Sequence, residues 1–215
     1  MIASVLHLDR KAVTALRITD PYSLHRIVYS LYDDVRSDAE KKASKSSGIQ
    51  YADMGGDFDA RRILLLANRE PAKQVKHENA CYGEVQSRPV AGGFLDHNRY
   101  RFKVIINPTR RDHKSRKLVA VKGREDISQW FCERSQASWG FQVLRRYLQI
   151  GTIKVQRFTD KNNRLITLGQ AQIQGELLVR DPEKFRQSFQ QGIGRARTYG
   201  CGLLQLVPVL DSLFD

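Results

Sequence analysis

Apolar and polar positions repeat along the chain with two different periods, which predict a mixture of strands and helices. At residues 2–8 apolar and polar side chains alternate, as in a half-buried strand. Asp20 and Pro21 have the positions of a helix cap and a first helical residue. The apolar positions that follow, up to residue 35, have the i, i+3, i+4, i+7 spacing of an amphipathic helix: Leu24, Ile27, Val28, Leu31 and Val35.

The rest of the first half predicts one more helix and three more strands. Residues 36–60 are polar and rich in Ser, Lys, Asp and Gly, which indicates a loop with a short strand at 49–54. A strand at 61–70, a short helix at 72–79 and a strand at 82–87 follow. Together with the first strand and helix, these elements make a βαββαβ unit.

The second half repeats this order of elements. Strands are predicted at 99–107, 118–122, 141–158, 165–180 and 203–209, and helices at 125–137 and 181–191. The predicted fold class is therefore α+β, with two tandem ferredoxin-like domains of the RRM-like βαββαβ plan. We place the first domain at residues 1–88, a linker at 89–98 and the second domain at 99–215. No segment matches the RNP1 motif, so stacking of RNA bases on a sheet face is not expected.

Charge adds a class of partner to this fold. The chain has 215 residues, and 36 Lys or Arg against 23 Asp or Glu give a formal net charge of +13. Such an excess predicts attraction to polyanions, with nucleic acid ahead of an anionic membrane surface. No apolar stretch has the length of a membrane span, and the N-terminus lacks a secretory signal pattern. We therefore expect a cytoplasmic protein with no membrane partner.

The three cysteines predict neither a disulfide framework nor a metal site. Cys81, Cys132 and Cys201 are far apart in the sequence and have no ligand-like spacing. We therefore expect each of them to be a small core residue or a bystander.

Four glycines fall within a short segment near the C-terminus, and two arginines lie between them: Gly192, Gly194, Gly200, Gly202, Arg195 and Arg197. Glycine accepts positive φ and close approach, so successive N–H groups here can form an anion site to which the arginines add charge. A nucleotide P-loop does not fit, because a helix precedes the glycines and a strand follows them. The alternative is a helix C-cap and turn without a ligand.

His25 is the histidine whose position favours chemistry. It lies in the second turn of the helix that starts at Pro21, with Tyr22 and Tyr29 one turn away on either side. The helix start lowers the pKa of an imidazole, whereas a bound phosphodiester raises it, so the sign of the shift stays open. The alternative is that His25 is a surface or half-buried helix residue without a catalytic role.

Cations cluster on two predicted hairpins of the second half. On the first they alternate with apolar positions along the strand and continue into the turn: Arg99, Arg101, Lys103, Arg110 and Arg111. The second hairpin carries Arg157 and Lys161. A cluster of charged residues is often only a solvent-exposed surface without a ligand. Here the alternation places the strand cations on one side of the sheet, which predicts a positively charged surface that binds an RNA backbone.

Several segments resemble, in order, the CRISPR repeat-processing endoribonucleases, in particular the CasE subfamily of type I-E systems. GIGRARTYGCGLL is similar to the C-terminal glycine-rich loop of that subfamily, and DPYSLHRIVYSL to its N-terminal helix with a Tyr-x-x-His pair. YRFKVIINPTRR and IQGELLVRDPEKF resemble its second-domain strand and its next-to-last strand with the final helix. The resemblance covers nearly the whole chain, and the tandem ferredoxin-like fold of the family agrees with the pattern.

The resemblance implies a metal-independent endoribonuclease without a cofactor. In that role His25 would be the general acid or base, Tyr22 would orient or assist it, and Arg26 would stabilise charge. Arg157 would hold the RNA stem. The chain departs from some members of the family in having Ser30 where they carry a cation.

The resemblance also implies a substrate and partners. The substrate would be a CRISPR precursor RNA, which is cut at the base of its repeat hairpin by attack of a ribose 2′-OH. The partners would be the other subunits of the Cascade surveillance complex. The products would be a 2′,3′-cyclic phosphate or 3′-phosphate end and a mature crRNA that the protein retains. The alternative is a structured-RNA-binding module that uses the same surface without catalysis.

Overall fold

Two compact units make up the chain. The computed structural model describes residues 1–37, 39–40, 43, 47–56 and 60–209. The first unit comprises Met1–Val90, Phe158–Ile166 and Thr198–Gly200, and the second comprises Ala91–Arg157, Thr167–Arg197 and Cys201–Asp215. Two short segments of the second half thus belong to the first unit. The domain boundaries at residues 88 and 99 stay predictions.

A four-stranded antiparallel sheet forms the centre of the first unit. Its strands and an accompanying small hairpin are β1 (Ile2–Asp9), β2 (Ile49–Gly56), β3 (Ala60–Ala67), β4 (Val75–His77), β5 (Ala80–Tyr82) and β6 (Glu84–Pro89). The order in the sheet is β2-β3-β1-β6, and β4 pairs only with β5. Because β3 separates β1 from β2, this is the split βαβ arrangement of ferredoxin-like domains.

Helices α1 (Arg10–Ala15) and α2 (Pro21–Ser30) follow β1. Asp20 caps α2 by accepting from the N–H of Ser23, whose hydroxyl in turn accepts from the N–H of Asp20. Leu24 and Val28 point into the core of the unit and are fully buried. The amphipathic stripe and the cap read from the sequence are therefore confirmed, whereas the short helix α1 was not predicted.

The predicted C-terminal end of α2 at residue 35 is wrong. The helix ends at Ser30, and the carbonyl of Leu31 accepts from the N–H of Ala72 at 2.7 Å instead of continuing the helical pattern. Val35, the last position of the predicted stripe, is 67% exposed. The hydrogen bond from Ala72, which is distant in sequence, thus accompanies the end of the helix about one turn before the last apolar position of the predicted stripe.

The helix predicted at residues 72–79 is also wrong, since this segment enters the hairpin of β4 and β5. Val75 pairs with Tyr82 and His77 with Ala80. Glu78, in the turn, has φ +53°, which no α-helix accommodates. Burial of Val75 in the core decides the outcome over local helix propensity.

In its described residues, the second unit contains a five-stranded sheet and two α-helices. Its elements are β7 (Arg99–Ile106), β8 (Thr109–Arg111), β9 (Leu118–Ala120), α3 (Arg124–Ser138), β10 (Phe141–Val143), β11 (Gln149–Thr159), β12 (Leu165–Val179), α4 (Pro182–Gln191) and β13 (Gln205–Pro208). The sheet order is β10-β12-β7-β13, with β11 also paired to β12. The hairpin of β8 and β9 forms a separate ribbon.

Aromatic side chains dominate the core of this unit. Tyr100 and Phe102 alternate with half-buried or exposed cations on β7 and pack against Phe131, Phe141 and Phe185. The rings of Phe102 and Phe131 stack with centroids 5.7 Å apart. The half-buried strand predicted at residues 99–107 is therefore confirmed.

The single strand predicted at residues 141–158 is wrong, because it is two strands. Between β10 and β11, Arg145–Tyr147 forms a 3-10 turn. The N–H of Leu144 donates to the carbonyl of Glu176, and the backbone of Tyr147 passes close to Gly175, where a Cβ would lie 3.0 Å from the Tyr147 carbonyl oxygen. Alternation along a sequence does not show where a strand changes its pairing.

The α+β class predicted from the sequence is confirmed, and the strand order of both sheets agrees with the ferredoxin-like plan. In the second unit, α3 and α4 occupy both helix positions of that plan. In the first unit the hairpin of β4 and β5 lies where the second helix was expected. Within the described residues, none of the helices is both long enough and apolar enough to cross a membrane.

Candidate active site and nucleic-acid interface

His25 is held by a helix whose start is fixed by its own sequence. Pro21 is the first helical residue, and Asp20 and Ser23 form a reciprocal capping box. Because the buried positions Leu24 and Val28 set the rotation of α2, His25 emerges beside them, half-buried rather than fully exposed. The neighbouring Arg26 is exposed to solvent.

Three tyrosines surround the imidazole, all within the first unit. The ring centroid of Tyr29 lies 4.1 Å from that of His25, and those of Tyr22 and Tyr199 lie 6.2 Å away. Tyr199 in turn packs edge-on against Phe158, 4.9 Å away. The histidine thus stands in an aromatic cluster built from α2 and two segments of the second half.

These surroundings lower the pKa of His25. Burial of the imidazole is the largest cause, an interaction with the main chain of Thr198 raises the pKa in opposition, and the positive charge of Lys161 lowers it again. Atom Nδ1 is buried and has no hydrogen-bond partner among the described residues. The sign of the shift, which the sequence left open, is downward, so the imidazole is neutral at pH 7.

The first unit includes only the Thr198–Gly200 part of the glycine-rich segment. Tyr51 donates a hydrogen bond from its hydroxyl to the carbonyl of Thr198 at 2.9 Å. Gly200 has φ +76°, and a Cβ there would lie 2.9 Å from the ring of Tyr51. This close approach explains the glycine and fixes the backbone beside Tyr199.

The other three glycines serve the backbone of the second unit. Gly192 ends α4 with φ +76°, and Gly194 packs against the side chain of Ile106. Gly202 has φ +87° and lies directly against the carbonyl of Ile193, where no Cβ fits. Each position is explained without a ligand, so the anion site formed by these backbone N–H groups stays a prediction.

The two arginines of the segment differ in how they are held. Arg197 donates a hydrogen bond to the carbonyl of Gln191 at 2.7 Å and is half-buried. Arg195 pairs through its backbone with Asn107, and its side chain is exposed. Of the two, Arg195 is therefore the cation that is more accessible to a ligand.

On the positive face of β7, one buried carboxylate engages two of the three cations. Arg99 donates two hydrogen bonds to Glu176, at 3.0 and 2.6 Å, and Arg101 lies 3.6 Å from the other carboxylate oxygen. Lys103 lies next along the same face and is half-buried. Sequence reasoning missed Glu176, because the alternation within β12 does not show which cation it faces.

The remaining predicted RNA contacts are exposed. Arg110 and Arg111 lie on β8, and Arg111 also donates to the carbonyl of Arg116. Arg157 is exposed on β11. Lys161 stands in a turn whose backbone N–H groups are held by the carboxylate of Asp160.

The structure brings together part of the predicted site and adds residues that the sequence did not reveal. Tyr22 and His25 lie together in the first unit, and the positive charge of Lys161, in the same unit, acts on the pKa of His25. Phe158, Thr198 and Tyr199 complete this group, although nothing in their local sequence marks them. The predicted cations of β7, β8 and β11, with Arg195 and Arg197, belong to the second unit.

Fold and site together define an α+β protein with two sheets of ferredoxin-like strand order and a half-buried, neutral histidine in an aromatic cluster. The family model described as CRISPR associated protein matches residues 1–208, and the chain belongs to this family. Within this family the chain is similar to the CasE-like endoribonucleases of type I-E systems.

Known relatives cover almost the whole chain. The CRISPR-associated endoribonuclease Cse3 of Thermus thermophilus is 23% identical over 201 residues, which are 89% of this chain and 92% of the relative. A solved structure of CRISPR endoribonuclease Cse3 bound to a 19-nucleotide RNA superposes with a TM-score of 0.79 and 24% identity, over 97% of this chain and 100% of that one. Cas6e of Escherichia coli superposes with a TM-score of 0.67 and 18% identity, over 97% and 100% of the two chains.

Proposed function

We propose that the protein is a metal-independent endoribonuclease that cuts CRISPR precursor RNA at the base of the repeat hairpin. The observation that carries this proposal is the environment of His25. Its imidazole is neutral near pH 7, has a buried Nδ1 without a partner among the described residues, and lies within the electrostatic reach of Lys161. A neutral imidazole is a proton acceptor, and a nearby cation stabilises negative charge.

In the proposed reaction His25 accepts the proton of the ribose 2′-OH at the scissile bond. The 2′-oxygen then attacks the adjacent phosphorus, the bond from phosphorus to the 5′-oxygen breaks, and the leaving oxygen takes a proton from solvent or from the imidazolium. The products are a 2′,3′-cyclic phosphate and a 5′-OH. Lys161 stabilises the charge on the phosphorane, and Tyr22 orients the imidazole or the phosphate.

The cations of the second unit supply the RNA-binding surface in this proposal. Exposed or half-exposed cations on β7, β8 and β11 contact phosphates of the RNA, with Arg195 and Arg197 beside them. Double-stranded RNA is recognised mainly by shape, phosphates and 2′-hydroxyls, which suits distributed cations. Within this set, Lys103, Arg110 and Arg157 make no ion pair in the described part of the chain.

Retention of the product and assembly into a larger complex are the second part of the proposal. Among the similar solved chains, one is Cse3 bound to RNA in a pre-cleavage complex and others come from a CRISPR RNA-guided surveillance complex. We propose that this chain likewise keeps the mature crRNA hairpin and joins the other Cascade subunits in the cytoplasm.

One experiment separates this reaction from RNA binding alone. The protein is incubated in EDTA with repeat RNA and with the same RNA carrying a single 2′-deoxy substitution at the cleavage site. We expect cleavage of the first RNA only, and its loss in the His25→Ala variant by about 10²–10⁴-fold with RNA affinity retained. Cleavage of the deoxy RNA would contradict 2′-OH attack, and binding without any cleavage would favour the non-catalytic module.

A further inference from the structure

A pocket of about 650 Å³ lies in the second unit, between the hairpin of β8 and β9 and one face of α3. Its volume is in the range of about 300–1,000 Å³ that is common for small-ligand sites. On α3, Trp130 and Arg134 are one turn apart and share the face that lines the pocket. The hairpin contributes Arg110 and Arg111, and Arg195 reaches the same pocket.

The charge of the pocket favours an anion. Four arginines and two carboxylates line it, so their formal charges, four positive minus two negative, leave a net charge of +2. In the part of the chain that the structure describes, none of these guanidinium groups is in an ion pair with a carboxylate. Three of the four arginines come from the hairpin and the glycine-rich segment, so the cations concentrate opposite the helix.

The wall formed by α3 offers an aromatic surface and hydrogen-bonding groups. The ring of Trp130 packs against Phe131 and Trp139, with centroids 6.5 and 6.1 Å away. Asp126 and Glu133 line the pocket on the same helix and can accept hydrogen bonds from amino groups of a base. A rigid indole beside acceptors suits a nucleobase, because every base has a π-face for stacking.

We propose that this pocket binds one unpaired nucleotide of RNA that flanks the repeat hairpin. The base lies against Trp130 and the phosphate lies beside Arg110, Arg111 and Arg195. A nucleotide must be unpaired to enter, since the bases of a duplex are stacked on one another and not on a side chain. The inference rests on the proposed function for the identity of the RNA, and it adds a site that reads single-stranded sequence next to the stem.

Binding of two RNAs tests the proposal. One is the repeat hairpin alone, the other carries a short unpaired flank, and both are titrated into the otherwise intact His25→Ala protein so that cleavage does not interfere. We expect Trp130→Leu to weaken binding of the flanked RNA about tenfold and to leave the bare hairpin unchanged, whereas Trp130→Phe, which keeps a stacking surface, binds the flanked RNA nearly normally. Equal effects on both RNAs, or no effect on either, would overturn the proposal.

An exposed cation provides a second variant that does not disturb packing. Arg134→Gln should reduce the slope of log affinity against log salt by about one for the flanked RNA only. The matched control is Arg186→Gln on α4, which removes an equal charge from a residue paired with Asp96 and should leave the difference between the two RNAs intact. An unchanged slope for Arg134→Gln would contradict a phosphate or base contact in the pocket.

The readout keeps this inference separate from the proposed function. If the protein does not cut repeat RNA but binds the flanked RNA more tightly in a Trp130-dependent way, only the catalytic proposal is refuted. A chain that cuts repeat RNA but shows no dependence of binding on the flank would refute only the pocket.

Discussion

The imidazole of His25 and the phenol ring of Tyr29 lie with their centroids 4.1 Å apart and their planes inclined by 53°. Both residues belong to α2 and are one helical turn apart. The hydroxyl of Tyr29 accepts a hydrogen bond from Ser47 at 3.1 Å, which ties the ring to the chain segment before β2. Tyr29 therefore limits the orientations that the imidazole can take.

Loss of this contact should lower catalysis more than binding. In Tyr29→Leu we expect the single-turnover cleavage rate of repeat RNA to fall by about tenfold to a hundredfold, because a misplaced general base lowers the rate without removing an RNA contact. Tyr29→Phe keeps the ring and should remain within a few-fold of the parent protein. Single-turnover kinetics at saturating RNA check this, and equal losses in the two variants would assign the effect to the hydroxyl instead of the ring.

The lowered pKa of His25 predicts an acid limb in the rate. The neutral imidazole is the active form, so the cleavage rate should fall as the pH drops through the folded-state pKa, which lies below the ordinary value of 6.5. Lys161 contributes to this lowering, so Lys161→Gln should move the acid limb to higher pH. The measurement is single-turnover rate against pH at saturating RNA, which separates the shift from weaker binding. A limb that stays in place or moves to lower pH would contradict the charge contact.

Gly200 should resist substitution for two separable reasons. Its φ of +76° disfavours any other residue, and a Cβ would press on the ring of Tyr51. Gly55 has a similar φ of +72°, but no atom of the described residues lies within 4 Å of the position that a Cβ would take there. Gly55→Ala should therefore lose only the backbone cost of about 1–2 kcal/mol. Gly200→Ala should lose a further amount of about 1–3 kcal/mol from crowding. Urea denaturation of both variants measures the difference, and equal losses would refute the contact with Tyr51.

Cations on one face of β7 should not contribute equally to RNA binding. Lys103 makes no ion pair with a described carboxylate, so Lys103→Gln should reduce the slope of log affinity against log salt by about 0.7–0.9. Arg99 is engaged by Glu176, which is 8% exposed, so Arg99→Gln should change the slope less and lower the stability of the fold instead. Salt titrations with repeat RNA and thermal melts distinguish the two, and equal slopes would contradict this division.

The sequence determined the elements whose partners are close along the chain. The capping box of Asp20 and Ser23, the buried stripe of α2 and the alternation of β7 all follow from spacing, because one element imposes each of these patterns on its own residues. The α+β class and the position of His25 followed from the same signals.

Only the tertiary structure decided the environment of that histidine. Thr198 and Tyr199 reach His25 from more than a hundred residues away, with Phe158 packed behind Tyr199, and no local period encodes such contacts. The direction of the pKa shift depended on that burial and on Lys161, and the early end of α2 depended on Ala72. A sequence pattern reports which face of an element is buried, whereas desolvation and charge proximity depend on what the rest of the chain places against that face.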